Sequence, residues 1–189
     1  MNSYIGELFS CLTKVIFSVG DENFDYDRGI NLLISEFLSC RQKNNVVFFV
    51  GNGGSAAIAS HMTADFLKNG KIKSRSLYDS AVATCLSNDY GYEHIFSEQI
   101  RFLANEGDLL VAISSSGNSP NIVSAINVAH EVGCRVITLT GFDEDNKARL
   151  SGDVNVYVPS HKYGIVESIH NIILQQVVDT IKYKDSNKV

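Results

Sequence analysis

Nowhere in the sequence does an apolar run approach the roughly 20 residues that span a bilayer, so no transmembrane segment is expected. The opening stretch, MNSYIGELFS, has no basic region followed by an apolar run, so a cytoplasmic location is expected and a secretory leader is not. Cysteine is scarce and scattered. Cys11, Cys40, Cys85 and Cys134 stand singly in apolar stretches with no C-x-x-C pair, the pattern of buried, reduced thiols in a cytosolic protein. An excess of positive charge is also missing. The net charge of -5 argues against nucleic acid or an anionic membrane as a partner, since either would want a basic face. It does not argue against a phosphate ligand, which backbone N–H groups can hold without lysines. No proline- or serine-rich linker and no low-complexity tract interrupts the chain, so residues 1–189 are expected to form one domain.

What is present is an ordinary globular composition, 44% hydrophobic and 20% charged, at a length that buries a sizeable core. Ile5, Leu8, Phe9, Leu12, Val15 and Ile16 fall at helical spacing, as do Ile30, Leu33, Ile34, Phe37 and Leu38 within Tyr26 to Cys40. A pair of helices is therefore expected before the first strand. Short continuous apolar runs follow at Val46 to Val50, Asp108 to Ile113, Arg135 to Thr140 and Val154 to Val158, with a weaker one at Ser74 to Leu77. Such runs mark strands covered on both faces, and the spacers between them have room for helices. This predicts an α/β fold with a parallel sheet between two helical layers. Ile165 to Tyr183 reads as a closing helix, followed by a polar tail from Lys184 to Val189 that frays.

Two strand-to-helix turns have unusual composition. Gly51-Asn52-Gly53-Gly54-Ser55-Ala56-Ala57 follows Val50; its glycines let a ligand approach the backbone, and Ser55 is placed to cap a helix starting at Ala56. A turn of this kind also serves simply to cap a helix. It lacks the lysine of a nucleotide-hydrolysing P-loop, and no nucleotide cofactor is expected. Ser114-Ser115-Ser116-Gly117-Asn118-Ser119-Pro120 follows Ile113, with Ser119 placed to cap and Pro120 at the first helical position. Four hydroxyls and free helix-start amides form a nest of donors without a cation, which suits a phosphate monoester.

These two turns, with Asn88-Asp89-Tyr90-Gly91-Tyr92-Glu93 and Gly107-Asp108, occur in this order in phosphoheptose isomerases, which the chain resembles over nearly its whole length. The resemblance implies a SIS domain: a three-layer sandwich with a five-stranded parallel sheet, in a homotetramer whose sites draw on more than one subunit. It implies that Ser114, Ser115, Ser116 and Ser119 bind a sugar phosphate, that Asn52, Gly53 and Ser55 meet the sugar chain, and that Asp89 lies close to it. The implied reaction converts sedoheptulose 7-phosphate to D-glycero-D-manno-heptose 7-phosphate through an enediol, for lipopolysaccharide or capsule heptose. That chemistry needs a base beside the carbons, an acid near the oxygens and a distant phosphate anchor.

His61 and Asp65 are four apart on the helix after the first turn and share a face. The family has histidine and glutamate there, as metal ligand and as ligand or base; an intrahelical pair is the plainer reading. The closing helix departs further. Where the family carries a glutamine before a glutamate and a histidine seven residues after it, this chain has Val166, Glu167 and Leu174. Glu167 and His170, at i and i+3 near the helix start, are the candidates to replace the missing groups as base or ligand. His61, Asp65, Glu167 and His170 together have the nitrogen and oxygen donors of a zinc site. The family's arginine is Asn69 here, and Lys162 is a candidate contact for a sugar or phosphate oxygen. Two alternatives stay open: an isomerase for another sugar phosphate, and a non-catalytic sugar-phosphate-binding regulator.

Overall fold

A computed structural model of the chain describes residues 3–186. Helix α1 (Tyr4–Leu12) is followed by a hairpin of β1 (Ile16–Val19) and β2 (Glu22–Phe24), then α2 (Tyr26–Gln42) and β3 (Val46–Gly51). Next come α3 (Gly54–Lys68), β4 (Lys73–Ser76), α4 (Ser80–Tyr90), a short 3₁₀ turn (Tyr92–His94) and α5 (Ser97–Leu103). The chain continues through β5 (Leu109–Ser114), α6 (Pro120–Val132), β6 (Arg135–Thr140), α7 (Lys147–Ser151) and β7 (Val154–Tyr157) to α8 (Tyr163–Ser186).

The sheet order is β2-β1-β7-β6-β5-β3-β4. Strands β7, β6, β5, β3 and β4 run parallel, as expected, and β1 adds antiparallel to β7. The hairpin makes seven strands, and it corrects the expectation of two helices before the first strand. Val15 and Ile16 extend the helical spacing of α1, but Gly20 takes φ +53° just before β2 and closes a tight hairpin. Phe17 then buries completely, whereas α1 has no buried residue at all.

The parallel strands show why their runs are unbroken. In β3, Val47 and Phe49 pack on the side of α2, α3 and α8, while Phe48 and Val50 pack on the side of α5 and α6. The same alternation divides Leu109, Val111 and Ile113 from Leu110 and Ala112 in β5. Phe37 of α2 and Phe66 of α3 meet at 4.3 Å between ring centroids, and both adjoin Phe49, locking the first layer to the sheet. At the opposite end from the site, Asp108 accepts from the amides of Val46 and Asn105 at 2.8 Å, which anchors the Gly107-Asp108 turn beside β3. Cys40 and Cys134 are buried, and burial pushes their thiols up to about 12 and about 11; Cys85, however, is exposed and Cys11 is half-buried. Among the described residues no helix is long and apolar enough to cross a membrane. Of the polar tail, Lys184 to Ser186 continue α8, and residues 187–189 lie outside the described residues.

Candidate active site

From β3 the chain moves outward to β4, then returns to β5 on the other flank of β3 and proceeds to β6 and β7. The reversal opens a crevice beyond the carboxyl ends of β3 and β5, where open α/β sheets bind ligands. Gly51 at the end of β3 pairs in register with Ile113, one residue before the end of β5. Both unusual turns therefore meet at one place, with α3 and α6 rising from it on opposite faces of the sheet.

A cleft of about 310 Å³ lies there, lined by Asn52, Gly53, Gly54, Ser55, Ser114, Ser115, Ser116, Ser119, Tyr163 and Glu167. Of the residues expected to bind substrate, all but Asp89 are in it. The serine turn is held firmly. Gly117 takes φ +64° against the Asn146 side chain, and its amide donates to the carbonyl and hydroxyl of Ser114 at 3.1 and 3.2 Å. Gly141 N–H donates to Ser115 O at 3.0 Å, and Ala148 N–H to Gly117 O at 2.9 Å. Ser116 Oγ accepts from Asn118 N–H at 3.3 Å. A serine hydroxyl that accepts in this way still has its own proton to donate.

Ser119 stands at the cap position of α6 but makes no capping bond, so its hydroxyl is not committed to the helix. Ser115 Oγ is fully buried and has no partner among the described residues. Such a group costs about 1–3 kcal/mol until something supplies an acceptor or donor. The expected cap at Ser55 is corrected: α3 starts at Gly54, two residues before the expected Ala56, after Gly53 turns with φ +53°. Ser55 is buried inside the first turn.

Asn52 is fixed by three hydrogen bonds to two partners. It exchanges hydrogen bonds with the Asn121 amide, 2.9 Å each way, and its Oδ1 also accepts from Tyr92 OH at 3.0 Å. Behind it, Tyr78 OH donates to Gly51 O at 2.9 Å, and burial pushes that phenol well above its ordinary range. Glu167 supplies the cleft's carboxylate. It is packed against Gly54 so closely that a β carbon there would collide with it. The carboxylate thus sits at the start of α3, the end of a helix that favours negative charge. Because α8 begins at Tyr163, Glu167 belongs to its second turn, which corrects the expected placement at the dipole of its own helix. No lysine, arginine or histidine lines the cleft.

The other candidates lie elsewhere. His61 Nε2 is 3.4 Å from Asp65 Oδ2, the plain intrahelical pair, with the histidine side chain 57% exposed. Asp65 also accepts from Asn69 at 3.3 Å. His170 is wholly buried, donates Nε2–H to Thr140 O at 3.1 Å, and is pushed down to about 4 by burial. It shares a helix with Glu167 but does not line the cleft with it. Asp89 lies near the end of α4, exposed, bonded to Asn88 Nδ2 at 2.9 Å. Lys162 pairs with Glu7 of α1 at 2.8 Å and does not line the cleft. Among the described residues no three His, Cys, Asp or Glu side chains come close enough to hold a metal. The expected four-donor zinc site is therefore not assembled within one chain, because His61 faces solvent while His170 faces the sheet. Tyr163 and Asn121 carried no signal in the sequence; Gly54 and Tyr92 stood within the glycine turn and the Asn88-to-Glu93 stretch, with no individual role legible there.

The SIS domain family matches residues 25–141. The phosphoheptose isomerase of Geotalea daltonii is 37% identical over 175 residues, 89% of each chain. That of Aliarcobacter butzleri is 37% identical over 147 residues, covering 73% of this chain and 77% of the relative. The solved phosphoheptose isomerase of Neisseria gonorrhoeae superposes with a TM-score of 0.76 at 35% identity, covering 82% of this chain and 85% of that one.

Proposed function

The chain belongs to the SIS-domain family, among its phosphoheptose isomerases, and we propose that it converts sedoheptulose 7-phosphate to D-glycero-D-manno-heptose 7-phosphate. The observation that carries this reading is the meeting, in one cleft, of a donor-rich serine turn and a single carboxylate. Ser114, Ser115, Ser116 and Ser119 hold the phosphate with hydroxyl protons at the start of α6. Pro120 has no N–H and the Ile122 and Val123 amides already donate to Ser119 O, so the hydroxyls carry most of the grip. Anchored at that end, the open sugar chain lies with its other end beside Glu167 and Asn52. Binding energy collected far from the reacting carbons then sets the register.

Glu167 acts as the base. It removes a proton from C1; the C1–H electrons form the C1=C2 bond, and the carbonyl pair moves onto O2. The proton on O1 then passes to O2 as the C1 aldehyde forms, and Glu167 returns its proton to C2. Atoms balance, and no external oxidant or reductant is needed. The reaction class calls for hydrogen-bond donors at the oxygens, where charge develops. Asn52 is the donor in reach of the cleft.

The retained carboxylate favours an enzyme over the non-catalytic regulator. The reading extends to one SIS domain over residues 1–189, in the cytoplasm, serving lipopolysaccharide or capsule heptose. The net charge of -5 supports a small-molecule partner over nucleic acid or membrane. Exposed Tyr4, Ile5 and Phe9 on α1, and Phe102 at 82% exposure, support a homotetramer that covers them. A zinc centre on His61 and Asp65 would need its other donors from outside this chain, and Asp89 would approach the sugar in the same way.

Proton NMR of the purified protein with sedoheptulose 7-phosphate in D₂O, with and without added zinc, tests the proposal. Turnover with deuterium entering C2 is expected, and Glu167→Gln should abolish it while leaving sugar-phosphate binding in place. Binding without turnover would overturn the assignment in favour of the other two readings.

A further inference from the structure

Asn121 hydrogen-bonds one of the expected ligand-binding groups, Asn52, and is buried to 1% exposure in the first turn of α6. Its amide and that of Asn52 form a closed pair, each donating to the other at 2.9 Å. The pair joins the glycine turn after β3 to the helix after β5, across the crevice that the ligand enters. Tyr92, from the 3₁₀ turn, adds a third bond by donating to Asn52 Oδ1 at 3.0 Å. The Asn52 oxygen therefore already accepts twice. What remains unused in these bonds is one Nδ2 proton.

An amide side chain is nearly symmetric in shape, and its two ends differ only in hydrogen bonding. A freely turning Asn52 would offer either a proton or an oxygen to a ligand. We infer that Asn121 is a positioning residue that holds the Asn52 side chain in place through their paired hydrogen bonds, so that its remaining Nδ2 proton faces the sugar oxygen on which charge builds during isomerisation. The rest of the cleft agrees with this polarity. Its serine hydroxyls have protons to offer, and Glu167 is purely an acceptor when ionised. Asn121 itself needs no contact with substrate, since it acts through Asn52. This inference rests on the isomerase reading.

The informative variant is Asn121→Asp, which keeps the shape and changes only the donors. Ionised, the introduced carboxylate can accept from Asn52 Nδ2 but cannot donate to Oδ1, and it repels that oxygen; protonated, it restores the reciprocal pair. Burial raises the pKa of such a carboxyl, which brings the change into an accessible range. The expected result is a fall in kcat of roughly 100-fold at pH 8, the scale of a misplaced contact. As pH decreases, the ratio of variant to wild-type kcat should climb back. Taking the ratio removes every pH dependence that both proteins share.

A second comparison guards against misfolding. Asn52→Ala/Asn121→Ala should be no slower than Asn52→Ala alone, because Asn121 has nothing left to orient. A flat pH ratio for Asn121→Asp, or effects of the two alanines that multiply, would overturn the inference. If the wild type fails to turn over sedoheptulose 7-phosphate, the isomerase reading fails by itself. The same variants are then read by calorimetric binding of that sugar phosphate against inorganic phosphate. Locking still predicts weaker, pH-restored binding of the sugar phosphate by Asn121→Asp, with inorganic phosphate unaffected, and equal losses for both ligands would refute it.

Discussion

Gly54→Ala separates the position of the Glu167 carboxylate from everything else in the cleft. A β carbon built on Gly54 would lie 2.6 Å from the carboxylate carbon, where an unstrained contact is about 3.5–4.0 Å. Glu167 must then retreat by about 1 Å, and a displacement of that size at a reacting group costs roughly 100-fold in rate. Nothing else suffers. Gly54 lacks the left-handed φ of Gly53, so alanine fits its backbone. In a helix the exchange stabilises by up to about 1 kcal/mol. The expected outcome is therefore a protein at least as stable as wild type, binding sugar phosphate with similar KM and turning it over about 100-fold more slowly. Steady-state kinetics with a thermal melt reads both quantities. A variant that keeps kcat close to the wild-type value would refute the argument, because the base would then be working from a place where it no longer fits.

Glu167→Gln preserves the packing on Gly54 but removes the proton carrier, and kcat should fall by about 10²- to 10⁴-fold, measured with the deuterium assay. Ser116→Ala and Ser119→Ala each delete a donor to a charged group, worth about 1.5–3 kcal/mol; KM should rise at least about tenfold, with the smaller effect on kcat. His170 has a different signature. Its folded pKa is about 4 against about 6.5 in an unfolded chain. Below about pH 6.5 the unfolded chain therefore takes up a proton that the native state refuses. Stability is complete above that pH and declines as pH falls toward 4, by at most about 3 kcal/mol. Urea unfolding should show this slope, and His170→Gln should flatten it.

The parallel strands were legible because a strand covered on both faces must be apolar at every position, and few other elements read that way. Both ligand turns were legible because glycine runs and serine clusters have few other uses at the carboxyl ends of such strands. Spacing alone did not separate α1 from β1. Val15 and Ile16 satisfy a helical period and a strand equally, and only pairing with β7 decides between them. Helix ends were similarly underdetermined. Ser55 looked like a cap, but Gly53 made the turn two residues earlier, and α8 began upstream of its apolar pattern at Tyr163.

Composition and pattern by themselves determined the layered α/β architecture, the order of the central elements and the two anion-friendly turns, since each depends on residues adjacent in sequence. Which distant side chains share the cleft was decided only in three dimensions. Glu167 and His170 are one turn apart on one helix, yet one lines the cleft over Gly54 and the other is buried on Thr140. Asn52 and Asn121 are 69 residues apart and hydrogen-bonded. Helical rotation and strand order fix such neighbours, and no spacing along the chain encodes them.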